Sequence, residues 1–529
     1  MNHLDIAWQV IPRFTLYIQL ACRHELNPMN ALVHFLIAIL VLTAAGSCPA
    51  SDQPPNIVFF FVDDMGWQDT SVPFHTDATQ LNRDYRTPNM EKLAAQGLLF
   101  SNAYACSICS PSRVSLMTGQ NAARHKVTCW TLRKDTSPAR PPKEFKAANW
   151  NLNGLQSAGD ATPRSVAATT LPELLRTGGY HTIHAGKGHF GAQGTPGADP
   201  LNLGFDVNIA GSYMGGPGSY HGDHNFSAEW RGGGRIWDVP GLEKYHGQKI
   251  NLTEAITREV ISEIEKAVAA EKPFYLYMSH YAVHAPFEPD RRFLPNYSDE
   301  TWSPHKKKYA SMLESMDRSL GDLMGTVDRL GIADKTIIVF MSDNGSPSNN
   351  PRNLPLRGHK ISGYEGGNRV PLIVDWPDIT AAGKRNATPV IVDDIFPTLL
   401  EMAGLDVPKN DGQSWVPILR DNTPPPETPR ELLWHYPNFY NQPPYSSLRL
   451  GDWKLIYWHK DQSMELFNLV NDIGESINVA DKHPDRLHDL ATRLTRQLKE
   501  KGAQFATIQA TGDPVPYPAD VLASQAKGQ

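Results

Sequence analysis

Unbroken runs of apolar residues recur along the chain from about residue 56 and predict buried strands. One run spans residues 57–62, and others lie at 182–183, 274–278, 336–341 and 372–374. A strand that is covered on both faces of a sheet needs such a run, whereas a half-exposed strand alternates apolar and polar residues. The runs therefore predict an α/β fold, with a mostly parallel sheet between layers of helices.

Between these runs the apolar residues take the spacing of amphipathic helices. Residues 254–270 place Ile256, Val260 and Ile264 one turn apart, and residues 309–330 repeat the pattern. An apolar stripe of this kind packs a helix against a sheet. We therefore expect both segments to be core helices without a chemical role.

A proline-rich break at residues 423–429 precedes a C-terminal part with a different pattern. Residues 447–457 and 465–469 predict short antiparallel strands separated by turns. Residues 484–501 predict an amphipathic helix that covers these strands, with its proline in the first turn. This part of the chain is therefore predicted to form a small sheet with one helix.

The pattern divides the chain into three segments. Residues 1–50 are a predicted leader, residues 51–422 a catalytic domain, and residues 423–529 a C-terminal subdomain with a tail. The tail is expected to begin at about residue 511 and to lack regular structure.

The predicted leader has the form of a signal peptide. A short apolar core at residues 35–42 is followed by small residues at 44–50, and the core is too short for a comfortable membrane span. We expect an exported protein, periplasmic or secreted, without a stable membrane span in its mature form. Met1 and Met29 are alternative starts, and a lipid anchor at Cys48 is the alternative to simple cleavage.

Composition narrows the choice of partners. The chain has 529 residues and a formal net charge of −6, so it lacks the basic footprint of a nucleic-acid-binding protein. Five cysteines are too few for a disulfide scaffold. Cys106 and Cys129 can pair or remain free, and we favour free thiols.

Polar side chains that can do chemistry follow four of the apolar runs, and Asp63 comes at once after the first. Ligands of open α/β sheets bind beyond the carboxyl ends of the strands, and parallel strands share that edge. These side chains are therefore expected to meet at one place. They are Asp63, Asp64, Lys187, His189, His284, Asp343 and Asn344.

The oxygen-bearing members of this set predict a metal site. Asp63, Asp64, Asp343 and Asn344 offer carboxylate and amide oxygens, which suit a hard cation such as Ca²⁺ or Mg²⁺ and do not suit Zn²⁺. We therefore expect one hard cation at the carboxyl edge of the sheet.

Cys109 begins the segment Cys-Ser-Pro-Ser-Arg, which predicts the start of a helix. Pro111 suits a first helical turn because its missing N–H would be an unpaired donor there. The free N–H groups and the dipole of a helix N-terminus favour negative charge, as a nucleophile that receives an anionic substrate requires. We expect Cys109 at a helix start and outside the hydrophobic core.

Two motifs resemble those of the type I sulfatases, the formylglycine-dependent branch of the alkaline phosphatase superfamily. Residues 109–119 match Cys-x-Pro-x-Arg followed by Thr-Gly, and residues 179–187 match Gly-Tyr-x-Thr-x-x-x-Gly-Lys. The resemblance covers roughly residues 54–500. It implies an alkaline-phosphatase-like fold, with a large, mostly parallel sheet flanked by helices and a smaller C-terminal antiparallel sheet with one helix.

The resemblance implies how the nucleophile and the metal work. A maturation enzyme oxidises the motif cysteine to formylglycine, so Cys109 would carry this aldehyde, and its hydrated form would attack sulfur. Arg113 would hold a hydroxyl group of residue 109 by a charge-assisted hydrogen bond. The four oxygen ligands would bind one Ca²⁺.

The resemblance also assigns the cations and the histidines. Lys187 and Lys360, the latter in a segment that closely matches the family, would neutralise the sulfate. His284 would protonate the leaving alcohol, a role that Lys360 can share, and His189 would drive the elimination of sulfate. Gly188 replaces a bulkier residue and is expected to leave room beside Lys187.

Two alternatives to a sulfatase remain at this point. A phosphodiesterase or phosphonate monoester hydrolase can use the same scaffold and the same cysteine motif. However, the two-zinc phosphatases carry an Asp-His pair where this chain has Asp343 and Asn344, and they use Ser or Thr as nucleophile. The other alternative is a non-catalytic glycan-binding relative, which would be expected to have lost Cys109, Lys187 or His284.

Two segments bear on the substrate. Residues 211–224 form a loop rich in Gly, Tyr and His without a packing pattern, and residues 435–438 are His-Tyr-Pro-Asn. Such side chains can hold a sugar ring, although loops of this kind can also simply cover a sheet. Together with the predicted export, they favour a sulfated carbohydrate over a small aryl, choline or lipid sulfate.

Overall fold

An eight-stranded sheet forms the centre of the computed structural model, which describes residues 54–347, 353–423 and 426–527. In spatial order its strands are β12 (Lys384–Asn386), β2 (Leu98–Phe100), β11 (Leu372–Asp375), β10 (Thr336–Ser342), β1 (Asn56–Val62), β9 (Phe274–Ser279), β7 (His181–Gly186) and β8 (Val207–Ile209). Among these described strands only β11 runs against the others. The mixed, mostly parallel sheet is thus confirmed.

Strand β1 shows why the apolar runs predict the sheet. Ile57, Phe59 and Phe61 pack into the core on one face, whereas Val58 and Phe60 pack into the core on the other. Both faces exclude water, so a polar residue at either set of positions would be buried without a partner. The run therefore has to be continuous.

Helices cover both faces of this sheet. The longest described ones are α6 (Leu252–Ala269) and α7 (Pro304–Arg329), which pack on the same face and match the two predicted core helices. The side chain of Ser303 caps α7 by accepting a hydrogen bond from the N–H of Lys306. The helix α3 (Cys109–Thr118) packs on the opposite face, and all ten of its residues are buried.

The remaining described helices and strands are short. The helices are α1 (Gln80–Asp84), α2 (Pro88–Gln96), α4 (Ala122–His125), α5 (Leu171–Thr177), α8 (Glu365–Asn368), α9 (Ile395–Met402) and α10 (Val416–Asp421). Three two-stranded sheets pair β3 (Ala103–Tyr104) with β13 (Val390–Ile391), β4 (Phe145–Lys146) with β18 (Thr507–Ile508), and β5 (Gly154–Ser157) with β6 (Ser165–Ala168).

The C-terminal part contains a second, antiparallel sheet. Its four strands are β14 (Glu431–Tyr436), β15 (Tyr445–Leu450), β16 (Trp453–Trp458) and β17 (Met464–Asn468), each paired with the next. The predicted helix is present as α11 (Pro484–Glu500), and its apolar face packs on this sheet. The domain boundary at residues 422 and 423 stays a prediction.

The expectation of an irregular tail after residue 511 is wrong. Residues Pro518–Lys527 form the helix α12, and the N–H of Ala519 donates to Thr495 Oγ1 of α11 over 3.0 Å. Val521 is buried in the C-terminal core. Packing against α11 therefore stabilises a segment whose own apolar pattern is weak.

The predicted leader at residues 1–50, including Cys48, lies outside the described residues. Within the described part of the chain, no helix is both long enough and apolar enough to cross a bilayer.

Candidate active site

The four oxygen-bearing residues meet at the carboxyl edge of the large sheet. Strands β1 and β10 are neighbours, and Val62 pairs with Ser342, so Asp63 and Asp64 lie beside Asp343 and Asn344. Asn344 Nδ2 donates to Asp64 Oδ1 over 2.7 Å, and the N–H of Asp64 donates to Asp343 Oδ1 over 3.2 Å. All four side chains are buried. The sequence thus places these residues correctly, while their roles stay predictions.

Two oxygen atoms of this cluster lack a hydrogen-bond partner in the described part of the chain. They are Asp63 Oδ1 and Asn344 Oδ1, and both are buried. Burial holds the pKa of Asp63 well above its usual range, with the charges of Asp343 and Asp64 adding to the effect and that of Lys187 opposing it. A bound cation would supply the missing partner, so these oxygens fit a hard metal ion.

Other side chains enlarge the set that can hold an ion. Asp63, Asp64 and His284 bring one ligand atom each to within 4.8 Å of the others, and so do Asp63, Cys109 and Asp343. The two groups share Asp63. An ion in this place would therefore lie next to the residue that is predicted to be the nucleophile.

Two lysines reach the same carboxylates. Lys187 Nζ donates to Asp63 Oδ2 over 2.6 Å, and Lys360 Nζ donates to Asp64 Oδ1 over 2.6 Å. Burial alone would lower the pKa of Lys360, but the negative charge of Asp64 raises it above its usual value. Both ammonium groups therefore face the cluster, where they can neutralise an anionic substrate.

Arg113 holds Asp343 in place. Its Nη2 and Nε donate to Asp343 Oδ2 over 2.7 and 3.2 Å, and its Nη1 donates to Ser279 Oγ and to the carbonyl oxygen of Lys187. These contacts use four of the five guanidinium N–H groups. The bond from Arg113 to a hydroxyl group of residue 109 stays a prediction. One N–H group of the guanidinium remains available for it.

Cys109 is the first residue of α3, as predicted, but it does not lie outside the core. The side chain belongs to the core on one face of the sheet, and the residue is only 3% exposed. The reason is that the whole helix is buried against this face of the sheet. Burial raises the pKa of the Cys109 thiol above its usual value, although Lys187 and Lys360 oppose this.

His284 lies beside Asp64. Its Nδ1 donates to the carbonyl oxygen of Ala285 over 2.7 Å, so the proton of the neutral ring sits on Nδ1 and Nε2 is bare. Nε2 lies 3.6 Å from Asp64 Oδ2. Burial lowers the pKa of His284 to about 4, with Asp64 opposing the shift. The ring is therefore neutral at pH 7 in this structure.

In His189 the ring nitrogen without a partner in the described part of the chain is Nδ1, whereas in His284 the bare nitrogen is Nε2. His189 Nε2 donates to the carbonyl oxygen of Thr131 over 2.7 Å, and its buried Nδ1 has no partner among the described residues. Burial, together with the charges of Lys187 and Arg113, holds the pKa of His189 well below its usual value. A neutral imidazole with a free Nδ1 can accept a proton.

The loop at residues 211–224 has a packing role that its sequence does not reveal. An added Cβ would lie 2.7 Å from His189 Cε1 at Gly215 and 2.7 Å from His284 Nδ1 at Gly216. Two successive glycines therefore let the backbone pass directly against both histidine rings. Tyr220 anchors the loop because its hydroxyl lies 2.9 Å from the carbonyl oxygen of His284.

The expected room beside Lys187 is filled. A Cβ on Gly188 would lie 2.7 Å from the carbonyl oxygen of Ser212, which also accepts the N–H of His189 over 2.9 Å. The small residue at position 188 therefore admits the loop backbone and leaves no free space.

His435 does not face a substrate. It is buried, its Nδ1 contacts Ser446 Oγ at 2.8 Å, and its Nε2 lies 2.9 Å from the carbonyl oxygen of Gln504. Tyr436 is buried as well. Of the two alternatives for residues 435–438, sugar contact and packing, the burial of His435 and Tyr436 favours packing in the interior of the C-terminal part.

The structure bears out the preference for free thiols. Cys106, Cys109 and Cys129 are buried and unpaired within the described residues.

Sequence reasoning missed several supporting side chains. Ser279 ends β9 and receives Arg113, and Ser112 Oγ donates to the carbonyl oxygen of Asp343 over 2.6 Å. Ser279 directly follows an apolar run, which was the available signal. Ser112 occupies a variable place in the cysteine motif, and its supporting role becomes visible through its contact with Asp343, the residue after β10.

The fold and the site together define a hydrolase for anionic esters. The family model named Sulfatase matches residues 55–405, and the model named N-sulphoglucosamine sulphohydrolase, C-terminal matches residues 359–504. The chain belongs to the sulfatase family of the alkaline phosphatase superfamily, and it is a sulfuric ester hydrolase. The non-catalytic alternative predicts the loss of Cys109, Lys187 or His284, and all three residues are present.

Similar proteins are known in bacteria and animals. A sulfatase of Formosa agariphila is 28% identical, with 93% of this chain and 98% of that protein covered. The N-acetylgalactosamine-6-sulfatase of Homo sapiens is 30% identical, with 83% and 78% covered. The solved structure of Ps i-CgsB in complex with k-i-k-neocarrahexaose is 26% identical, covers 89% of this chain and 97% of that chain, and has a TM-score of 0.69.

Proposed function

We propose that this sulfatase hydrolyses a sulfate ester on a sulfated carbohydrate. The observation that carries the proposal is the meeting of Cys109, the two lysines and the acidic cluster at one edge of the sheet, because this combination can bind a sulfate beside a nucleophile. The carbohydrate is supported by relatives whose names specify N-acetylgalactosamine 6-sulfate or a carrageenan oligosaccharide.

We propose that Asp63, Asp64, Asp343 and Asn344 hold one Ca²⁺. The two unpartnered buried oxygens and the choice of oxygen ligands support this metal. A bound Ca²⁺ would supply positive charge that stabilises the negative oxygens of the sulfate group. Arg113 fixes the position of Asp343 for this purpose.

We also propose that Cys109 is converted to formylglycine by a maturation enzyme. Two observations support this conversion. The residue begins a matching motif, and burial raises the pKa of its thiol, so an unmodified cysteine would remain protonated and would be a weak nucleophile. Export, periplasmic or secreted, is proposed on the sequence of residues 1–50 alone.

The two histidines are proposed to move protons at separate atoms. His189 would accept a proton at its free Nδ1 while Thr131 fixes its ring. His284 would give a proton to the leaving oxygen from Nε2, which requires the anionic substrate to raise its low pKa. Lys360 carries a proton in the same place and can share this role.

The test of the function combines mass spectrometry with a substrate panel. Peptide mass spectrometry of the segment that contains residue 109 should show the aldehyde in active protein. Sulfated glycans should be desulfated, and an aryl sulfate should be hydrolysed faster than the matching aryl phosphate or phosphonate. Active protein with an unmodified Cys109, or a preference for the phosphorus esters, would contradict the proposal.

The metal is tested by chelation followed by reconstitution. About one Ca²⁺ or Mg²⁺ per chain should restore activity. Two tightly bound zinc ions would instead favour a phosphatase.

The histidine roles are tested with two leaving groups. An activated nitrophenol needs little protonation, whereas a sugar alcohol needs much. His284→Ala should therefore slow a sugar sulfate far more than nitrophenyl sulfate, and His189→Ala should slow both. His488→Ala, at an exposed position on α11, is the control. Equal losses on both substrates for His284→Ala would overturn its role as acid.

A further inference from the structure

A cavity of about 760 Å³ lies outside the acidic cluster, between residues 130–142 and residues 439–443. Its size falls within the range of about 300–1,000 Å³ that is usual for small-molecule sites. The lining includes Trp130 and Tyr440, whose rings pack edge to face with centroids 5.7 Å apart. Neither the proposed mechanism nor the metal site uses these residues.

The lining of this cavity is positively charged. Arg133, Arg140 and Lys460 contribute to it, and no carboxylate does. None of the three cations forms an ion pair with any acidic side chain that the structure describes. The cavity therefore offers three positive charges that are not paired with any described acidic side chain.

The acidic residues next to these cations in the sequence are engaged elsewhere. Asp135 Oδ1 accepts a hydrogen bond from Asn153 Nδ2 over 2.8 Å. Asp461 Oδ1 accepts hydrogen bonds from the N–H and the hydroxyl of Ser463 over 3.1 and 2.7 Å. The Arg140 side chain donates to the carbonyl oxygens of Ser137 and Ala139, each over 3.0 Å.

The remaining lining suits a sugar. The rings of Trp130 and Tyr440 offer apolar faces and edges, while Asn441 and Gln442 add amide groups that can donate to and accept from hydroxyls. A ligand that satisfies both parts of the lining has to combine hydroxyl groups with negative charge.

The cavity shares a wall with the catalytic residues. Its lining residues Trp130 and Leu132 flank Thr131, whose carbonyl oxygen fixes His189. The N–H of Thr131 donates to Ser110 Oγ over 3.3 Å, one residue after Cys109. On the other side, Lys360 lies close enough to Tyr440 for its charge to oppose the rise in the Tyr440 pKa that burial causes.

We propose that this cavity binds a second anionic sugar unit of the substrate, by its sulfate or carboxylate group, while another sulfate ester reacts at Cys109. This inference rests on the proposed function and adds a substrate class to it. The substrate is a multiply anionic oligosaccharide or polysaccharide, and an isolated monosulfated sugar leaves the cavity empty. Arg133, Arg140 and Lys460 supply the charge, and Trp130 and Tyr440 contact the ring.

The binding experiment uses the full-length protein and three tetrasaccharides, measured by isothermal titration calorimetry. One probe carries two sulfates, one carries two uronic carboxylates, and one is neutral. Arg133→Ala and Arg140→Ala should each weaken binding of a charged probe by about three- to tenfold, because each loses a charge-assisted contact. The charged probe that loses affinity in these two variants shows whether the cavity binds a sulfate or a carboxylate. Lys134→Ala, an exposed neighbour that does not line the cavity, should leave affinity unchanged.

Kinetics supply an independent measure. For Arg133→Ala the ratio of kcat/KM on a disulfated to that on a monosulfated oligosaccharide should fall by about three- to tenfold through KM, and the salt dependence of KM should weaken. A neutral probe that binds as tightly as the charged ones would overturn the inference. The inference would also be overturned if the charged probes bound Arg133→Ala, Arg140→Ala and Lys134→Ala with equal affinity.

The inference and the proposed function can fail separately. Binding of the tetrasaccharides requires no turnover, so an effect of Arg133→Ala on affinity supports the cavity even if no sulfate ester is cleaved. Conversely, normal desulfation with unchanged affinities in all variants would keep the function and remove the cavity from it.

Discussion

The acidic cluster at the sheet edge can be compared with a second buried group of charges, which joins the C-terminal sheet to the catalytic part. We call the second group the junction cluster, and it consists of Glu365, Lys454 and Glu475. Lys454 Nζ lies 2.9 Å from Glu365 Oε1 and 2.9 Å from Glu475 Oε1, and all three side chains are fully buried. Both groups are ionic and both exclude water.

The two groups differ in how their oxygens are used. Glu365 places one oxygen against Lys454 and the other against the Tyr104 hydroxyl at 2.6 Å. Glu475 Oε1 also lacks a well-aligned hydrogen bond, but it lies 2.9 Å from the charged Lys454 Nζ. In the acidic cluster, by contrast, Asp63 Oδ1 and Asn344 Oδ1 have no hydrogen-bond partner among the described residues, and Arg113 Nη2 is 3.9 Å from Asp63 Oδ1. A buried oxygen without a protein donor lowers the stability of the fold unless a ligand supplies the missing partner. The comparison therefore separates a cluster that joins two parts of the fold from one that is prepared for a ligand.

The largest expected effect concerns the nucleophile. Cys109→Ala should lower turnover by at least about a thousandfold, because it removes the group that attacks sulfur. The fold should be kept, so the melting temperature should stay near that of the unmodified chain. Cys129→Ala, which alters another fully buried thiol, is the matched control and should retain turnover. Near-normal turnover in Cys109→Ala would show that residue 109 is not the nucleophile.

A substitution in the junction cluster is expected to lower stability more than activity. Lys454→Met should lower the free energy of unfolding by about 3–5 kcal/mol, because it leaves the buried Glu475 carboxylate without its cation and leaves Glu365 with Arg369 alone of its two ion-pair partners. Activity per folded molecule should fall much less than in Cys109→Ala. Urea denaturation measures the loss, and adding Glu475→Gln to Lys454→Met should recover part of it. An unchanged unfolding free energy for Lys454→Met would remove the distinction between the two clusters.

Substitution of the two glycines that lie against the histidine rings should have an intermediate effect on turnover. Gly215→Ala and Gly216→Ala should each lower turnover by about 10- to 100-fold, because the new Cβ displaces the His189 or the His284 ring. Gly234→Ala is the matched control, since a Cβ there meets nothing within 4 Å and its φ is −90°. If all three variants kept full turnover, the close approach of the loop would have no catalytic consequence.

The smallest effect should appear as a pH dependence of stability. Burial raises the pKa of Glu475 to about 7, while Lys454 opposes the rise and Glu365 adds to it. An unfolded glutamate titrates near about 4.3, so the unfolded state releases its proton first and stability is lost as the pH rises from there through about 7. The loss is at most about 1.4 kcal/mol per pH unit.

Glu475→Gln removes this titration. Relative to the unmodified chain, its free energy of unfolding should therefore improve between pH 5 and pH 7 by roughly 1–2 kcal/mol. Urea denaturation at a series of pH values measures the difference. Glu500→Gln, at an exposed position, should show no such trend. Parallel curves for Glu475→Gln and the unmodified chain would contradict the raised pKa.

The central strands and the positions of the site residues could be predicted because they follow from burial on both faces. Strand β1 needs an apolar run, and the residues that follow it must lie at the sheet edge. The edge strand β12 could not be predicted in this way, since Lys384 and Arg385 are exposed and leave no apolar signal. It pairs with β2 in parallel through a backbone ladder.

Contacts between distant segments explain the other failures. The glycines at 215 and 216 matter only because His189 and His284 lie next to them in space, which no local pattern records. Likewise, helix α12 depends on α11 for its stability. The junction cluster was missed because Lys454 lies within a predicted strand and Glu475 lies after the next one, and no local pattern shows that both meet Glu365 or each other.

The pairing of β1 with β10 has a consequence for synthesis of the chain. Asn56 bonds to Thr336, a partner 280 residues later. At about 5–20 residues per second, the ribosome needs on the order of 15–60 s to deliver that partner. During this interval a strand made of three consecutive phenylalanines between aliphatic residues has no second neighbour. Nascent chains should therefore aggregate readily and depend on chaperones, and truncation before residue 336 should leave one edge of this strand permanently without its partner.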